Sequence, residues 1–418
     1  MNSTKTSVKP LEVVIVGAGF AGLACAKELA KLNKEHEGRL ITVKLIDKNP
    51  YQVFSPLLYQ VATGGLPEDD IAYPIRASID GVTFIRGEVV KVSTKNNTIR
   101  LSDGVVIPYH HLVLATGSIG TCFGIPGAAE NSLQMKNIIE ARNIRKQLLK
   151  TYEDVELGKK SKEILAVIIV GGGPTGVELS GAVAELQKNM AKEYPDLVQY
   201  SSITLVEAGE AILPSFMRKN SIKATKALEK LGVVVKVKSA VEKMYEGTIV
   251  LKNGEVLHGG TIIWAGGVAG QEKWGDLGDT DRLNRLKVDK NLRIRENVWV
   301  IGDGSSFTVE NKKTLPMVAP VALQMGRHVA NQLTNIALGK PLIDYVYKNK
   351  GQMATIGRGA AVVETPQGLS LHGLVAWIAW LLLHVAYLAG GRNKVSVLAD
   401  WAWNYIAWHK GPRRAVLD

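Results

Sequence analysis

Gly17, Gly19 and Gly22 stand in G-x-G-x-x-G spacing, between a β-branched run and a helix-forming stretch, in LEVVIVGAGFAGLACAKELAKL. This spacing suits the binding of a diphosphate. Gly17 permits a tight turn, Gly19 lets the backbone approach the phosphates, and Gly22 lets the helix pack close to the strand. Ala18, Phe20 and Ala21 fill the remaining positions, and the helix N-terminus directs free N–H groups at the anion. A second strand, ITVKLID, ends in Asp47, an acceptor for ribose hydroxyls, with Lys48 following it. The pattern recurs in ILAVIIVGGGPTGVELSGAVAEL, with Gly171, Gly173 and Gly176 around Pro174 and Thr175, and SSITLVEAG closes its second strand with Glu207. An acid there fits the free 2′-hydroxyl of NADH and repels the 2′-phosphate of NADPH; no Arg replaces it. Two such units imply two dinucleotides. The interval between them is far too long for a solenoid repeat.

Three further glycine-bearing strands must position these turns. HLVLATGS (111–118), with Thr116 and Gly117, returns beside the first site; TIIWAGGV (261–268), with Gly266, does the same for the second; NVWVIGDGS (297–305), with Asp303, goes back to the first. The expected fold is therefore α/β, with two nested Rossmann-like dinucleotide-binding domains and a C-terminal amphipathic membrane-anchoring helical segment. The expected bounds are 1–130 and 286–345 for the outer domain, 131–285 for the inserted one and 346–418 for the C-terminal region, where Gly, Pro and charged residues interrupt the periodic apolar runs.

A net charge of +12 and a pI near 9.4 favour a negatively charged partner: nucleic acid, dinucleotide or anionic lipid. Lys and Arg are dispersed and no RNA-binding or helix-turn-helix pattern accompanies them, so nucleic acid is not expected. The two cysteines, Cys25 and Cys122, have no CxxC or metal-ligand spacing. A disulfide framework and a metal site are thus not expected, and a reducing compartment fits. The first apolar run, 13–16, is too short for a signal peptide and leads into a glycine turn, so the chain is expected to start in the cytoplasm.

Near the other end, GLVAWIAWLLLHVAYLAGG (373–391) holds no charged side chain, and five of the eight tryptophans (Trp377, Trp380, Trp401, Trp403 and Trp408) lie beyond residue 376. Trp377, Trp380, His384 and Tyr387 follow 3-4-3 spacing, one stripe of a helix. At 19 residues the run is just long enough to span a bilayer. Spanning would carry Arg392, Lys394, Lys410, Arg413 and Arg414 outside, against two acids, Asp400 and Asp418, and against the positive-inside tendency. Val397, Leu398, Trp401, Tyr405 and Trp408 then share a face opposite Ser396, Asp400 and Asn404. Two helices lying in the membrane interface are expected; a spanning helix and a buried core or dimer helix are the alternatives.

Four stretches, NPYQVFSPLLYQVATGGL (49–66), GGGPTGVELSG (171–181), LPMVAPVALQMGRHVA (315–330) and KNKGQMATIGRGAAV (348–362), resemble the two-dinucleotide-binding flavoproteins and, within them, type II NADH dehydrogenase. That enzyme is a single-subunit NADH:quinone oxidoreductase of respiratory chains that pumps no protons. The resemblance implies FAD at Gly17, Ala18, Gly19, Phe20, Ala21, Gly22, Asp47, Lys48, Val89, Thr116, Gly117 and Asp303, and NADH at Gly171, Gly173, Pro174, Thr175, Gly176, Glu207 and Gly266. It places Glu178 beside the nicotinamide and quinone sites, although Glu178 also complements the positive end of its helix. Lys350 corresponds to a lysine near the flavin, where a fixed charge stabilises the reduced anion; the alternative is a solvated loop lysine. Where the family often carries an Ala-Gln pair touching the quinone, this chain has Ala319-Pro320, so the contact must come from elsewhere; the segment's second glutamine, Gln324, is present. The implied partners are NADH, a membrane quinone and the membrane surface at the cytoplasmic face of the inner membrane, held monotopically, and a homodimer is compatible with them. A sulfide:quinone oxidoreductase or another disulfide-reductase-like flavoprotein is the alternative reading, but both need more reactive cysteines.

Overall fold

The computed structural model describes residues 10–38, 40–309 and 313–406. The chain divides into two compact units: one of residues 1–52, 73–119 and 268–349, the other of residues 53–72, 120–267 and 350–418.

In the first unit the strand Leu11–Val16, apolar from Val13 onward, lies in the middle of a sheet ordered Arg293–Arg295, Val298–Val300, His111–Leu114, Leu11–Val16, Ile41–Asp47 and Thr83–Arg86. All neighbours are parallel except the Arg293–Arg295 edge. A strand covered on both faces reads as a continuous apolar run, not as an alternation. Val13 and Ile15 face a layer containing Leu29, Met325 and Val329, from the helices Phe20–Glu35 and Ala319–Ala337. Val14 and Val16 face the antiparallel meander Val89–Ser93, Thr98–Leu101 and Val106–Pro108. The two helices meet backbone to backbone at Gly326, where a Cβ would stand 2.3 Å from the Ala21 carbonyl oxygen.

The second unit repeats the plan. Its parallel sheet is ordered Leu133–Gln134, Thr261–Trp264, Val167–Val170, Ile203–Val206 and Val233–Lys236. One face, through Ile168, Val170, Val206 and Trp264, packs on the meander Val241–Tyr245, Thr248–Leu251 and Val256–His258. The helix Pro174–Glu193 follows its glycine turn, with Pro174 at the first helical position, where a fixed φ favours helix initiation and the missing N–H costs nothing. A third antiparallel meander, Gln352–Gly357, Ala360–Glu364 and Ser370–His372, leads into the helices Gly373–Tyr387 and Gly391–Ile406.

Candidate functional site

The two glycine turns are built alike to atomic detail. Gly17 and Gly171 have φ of +101° and +111°, a region that favours glycine, and each closes on the backbone of a neighbouring strand end: a Cβ on Gly17 would meet the Ala115 carbonyl at 2.3 Å, and one on Gly171 the Gly266 Cα at 2.4 Å. A Cβ on Gly22 or Gly176 would lie 1.8 Å from the carbonyl oxygen of Gly17 or Gly171. Gly19 and Gly173, by contrast, face open space, and each precedes a helix whose N-terminus has no side-chain cap. A site where a Cβ would enter empty room beside uncapped amides is the shape that a diphosphate fits.

Each strand-end acid grips its own turn. Asp47 accepts from the amides of Ala18 (2.7 Å) and Asn49 (2.8 Å); Glu207 accepts from those of Gly172 and Gly209, both at 2.6 Å. Each carboxylate keeps further lone pairs for a ribose. Around the first turn, Ser118 donates to Asp303 at 2.6 Å and the Gln271 amide donates to the Thr116 carbonyl at 2.8 Å. Gly117 has φ +66°, Val89 is buried in the meander, Phe20 is partly buried and Lys48 is exposed.

Glu178 lies on the first turns of the Pro174–Glu193 helix. Gly181 brings this helix against the Gln352–Gly357 strand so closely that a Cβ would be 1.7 Å from the Ile356 carbonyl oxygen. The Thr355 amide thereby donates to Glu178 at 3.3 Å. Burial pushes the Glu178 carboxyl up to about 8; the Thr355 amide and the Trp380 indole, which is close by but outside hydrogen-bonding geometry, pull it only part of the way back. At neutral pH it is largely protonated, which an acid needs in order to donate.

Glu178 opens on a cavity of about 290 Å³ in the second unit, whose walls include Tyr59, Gln60, Arg145, Trp380 and Trp401. Trp401 donates its indole N–H to Gln60 Oε1 at 2.8 Å, and the Gln60 amide donates to the Tyr59 hydroxyl at 2.8 Å. Trp380 stacks on His384 (centroids 3.8 Å apart), whose Nδ1 donates to the Trp380 carbonyl at 2.7 Å. Burial holds His384 down to about 4, so the ring is neutral.

The C-terminal helices thus turn one aromatic face inward. Trp380, His384, Val397 and Trp401 are buried, and Asn404 donates to the Gly65 carbonyl at 2.8 Å. This corrects the expected stripes, in which these residues met the membrane. A run apolar on every side carries no periodicity to say which side packs. The face left outward carries Leu374, Val375, Ile378, Leu382, Tyr387, Leu398 and Trp403, all exposed. No described helix is long and apolar enough to cross a membrane. Trp408, Lys410, Arg413, Arg414 and Asp418 lie outside the described residues, and the side chain of Tyr405 is not described.

Of the other residues singled out in the sequence, Gln324 clamps the backbone of Lys348 in the first unit, donating to its carbonyl at 2.9 Å and accepting from its amide at 3.0 Å. Its amide group is thereby engaged with the chain itself. Lys350 is exposed. Gln60, Arg145, Glu185 and Arg358 line the cavity and were not picked out from the sequence. Gln60 lay inside the most specific stretch of the resemblance, and Glu185 falls seven residues after Glu178 on one helix.

The model of the pyridine nucleotide-disulphide oxidoreductases matches residues 11–326. A type II NADH:quinone oxidoreductase of Mycobacterium tuberculosis is 31% identical over 96% of this chain and 89% of its own. The chain belongs to the type II NADH:quinone oxidoreductases of that family. NDH2 of Plasmodium falciparum, solved in complex with NADH, superposes with a TM-score of 0.88 at 21% identity, over 97% of this chain and 99% of that one. The sulfide:quinone oxidoreductase of Aquifex aeolicus shares the fold at a TM-score of 0.74 and 17% identity, over 96% of both chains. This oxidoreductase uses a flavin and NADH.

Because a side chain at Gly19 meets nothing in the protein, Gly19→Val is expected to fold but to lose bound flavin, whereas Gly22→Val should not fold stably. Visible absorbance and circular dichroism of the purified variants check this. Full flavin content in folded Gly19→Val would show that the first turn does not hold the cofactor.

Proposed function

We propose that the chain oxidises NADH and reduces a membrane quinone by way of FAD, pumping no protons, at the cytoplasmic face of the inner membrane. The observation that carries this reading is the aromatic cavity into which a largely neutral carboxyl, Glu178, opens. Its walls combine aromatic rings (Tyr59, Trp377, Trp380 and Trp401) with polar side chains such as Gln60 and Thr63, a mixture that can stack on a flat ring and hydrogen-bond its carbonyls. FAD, when bound, supplies the chemistry of accepting a hydride and releasing two electrons. The residues proposed to hold its diphosphate and ribose are Gly17 to Gly22 and Asp47, with Thr116, Gly117 and Asp303 near its other parts. Gly171 to Gly176, Gly266 and Glu207 would hold NADH. Glu178 would supply one of the two protons that a quinone takes up on reduction to quinol, the one drawn from the medium. The engagement of Gln324 with Lys348 moves the proposed quinone contacts from Gln324 to Gln60, Tyr59 and Trp380. The outward apolar face of the C-terminal helices would lie in the membrane interface.

The cysteines weigh against sulfide or disulfide chemistry. Cys25 is fully buried and its thiol is pushed well up by burial; Cys122, which accepts a hydrogen bond from Gln134 at 3.2 Å, is raised too. A reactive thiolate needs the opposite environment. Steady-state NADH oxidation with quinone, with sulfide in its place as reductant, and with neither acceptor nor sulfide, tests the whole reading. Quinone-independent turnover, or sulfide as the better reductant, would overturn it.

NADH should exceed NADPH in kcat/KM by about tenfold or more, because Glu207 places a like charge beside a 2′-phosphate; equal values would refute that role for Glu207. Quinone reduction should fall as pH rises through about 8, where Glu178 loses its proton, and ferricyanide reduction should not. In Glu178→Gln the quinone rate should be low and lack this fall. Removal of residues 371–418 strips both the outward face and the cavity wall of Trp377, Trp380 and Trp401. Each buried large apolar side chain contributes roughly 1.5–3 kcal/mol, so flotation with liposomes should be lost. Short-chain as well as long-chain quinone reduction should collapse, with ferricyanide reduction spared if the truncated protein keeps its flavin. Normal reduction of short-chain quinone would show that the tail forms no part of the quinone site.

A further inference from the structure

The face of the Pro174–Glu193 helix that lines the cavity continues past Glu178. Ala182, Glu185, Leu186, Asn189, Lys192 and Glu193 follow it along one stripe at three- and four-residue steps. The stripe begins at Glu178, next to the glycine turn, and ends at Lys192 and Glu193, which are exposed. Glu185 lies between, about 10 Å along the axis from Glu178 by the rise of an α-helix. Both carboxylates are held the same way: the Thr355 amide donates to Glu178 and the Arg358 amide donates to Glu185, from the same strand and its turn. Of the helix residues between them only Ala182, with its small side chain, lines the cavity.

We propose that Glu185 is a proton-relay residue that reprotonates Glu178 from solvent along this stripe, an inference that rests on the quinone reading above. The overall reaction, NADH + H⁺ + quinone → NAD⁺ + quinol, takes one proton from the medium in each turnover. Once Glu178 has given up that proton it must regain one, and a carboxyl lining the cavity from Thr355 to the exposed helix end has no competing route within the described walls that carries an acid. Glu185 is itself kept hard to ionise by burial, against the Arg358 amide, the Arg358 charge and Lys188, which act the other way. The other charged groups on the cavity walls are Arg145, from the helix Ile138–Glu156, and Lys192 and Glu193 at the mouth. Its place midway along the stripe, between Glu178 and the exposed helix end, with burial favouring its protonated form, suits Glu185 to the middle of a relay.

Glu185→Gln keeps an acceptor for the Arg358 amide but no exchangeable acid. With a short-chain quinone its kcat is expected to fall about tenfold or more while the quinone KM and the ferricyanide rate stay within twofold. Ferricyanide takes electrons alone, so it does not draw on the relay. Added formate, small enough to enter the cavity, should restore part of the lost quinone rate, and a solvent deuterium isotope effect should appear or grow in the variant. An unchanged quinone kcat, or a loss seen equally with ferricyanide and not rescued by formate, would overturn the relay. If Glu185→Gln loses its flavin, Glu185→Ala, which also lacks an acid and leaves room for formate, takes its place, and the same formate rescue decides. A failure of the unmodified protein to reduce quinone at all would instead overturn the function, and would be seen before any variant is made.

Discussion

The contact on which the cavity depends is a helix lying directly on a strand edge, with no side chain between them at Gly181. Any side chain there would collide with the Ile356 carbonyl. Bringing the two backbones this close sets the strand amides of Thr355 and Arg358 against carboxylates on the helix. The same closeness removes water from Glu178, and it is this removal, not a neighbouring charge, that raises its proton affinity. A methyl group at one position would thus act on the strand register, on two hydrogen bonds and on the acidity of Glu178. Packing and chemistry are one constraint here.

The paired turns show a second economy. Asp47 and Glu207 differ by a methylene, yet each bridges the amide of its turn's second residue and an amide two residues beyond itself. The acid that is read from the sequence as a ribose acceptor therefore also fixes its glycine turn. The proposed cofactor selectivity and the rigidity of the turn would draw on the same carboxylate, so substitutions there would rarely alter one alone.

What could be read from the sequence was local. The glycine turns, the strands before them and the acids after them fall within residues 11–47 and 167–207, each a single stretch of chain. The apolar run 13–16 ahead of the first glycine turn agrees with a strand covered on both faces. What covers them was not legible, since the meander of residues 89–108 and the helix Ala319–Ala337 lie far along the chain from it. The cavity was illegible for a different reason. Gln60 and Trp401 are 341 residues apart, and no spacing rule joins them. The tail was half read: its length, its aromatic richness and its break near residue 390 matched two helices, but which side faces protein was inverted at Trp380, His384, Val397 and Trp401.

The long separation between Gln60 and Trp401 also sets a schedule. Both glycine turns and most of their sheets emerge from a ribosome well before residue 401, and domains made of near neighbours in sequence can fold as they emerge. The cavity cannot: one wall is waiting for Trp401 and Asn404, which reach back to Gln60 and Gly65 only after nearly the whole chain has been made. Nascent chains would therefore acquire their glycine turns first and the cavity last. A protein interrupted in synthesis would hold cofactor-shaped turns with the cavity unfinished.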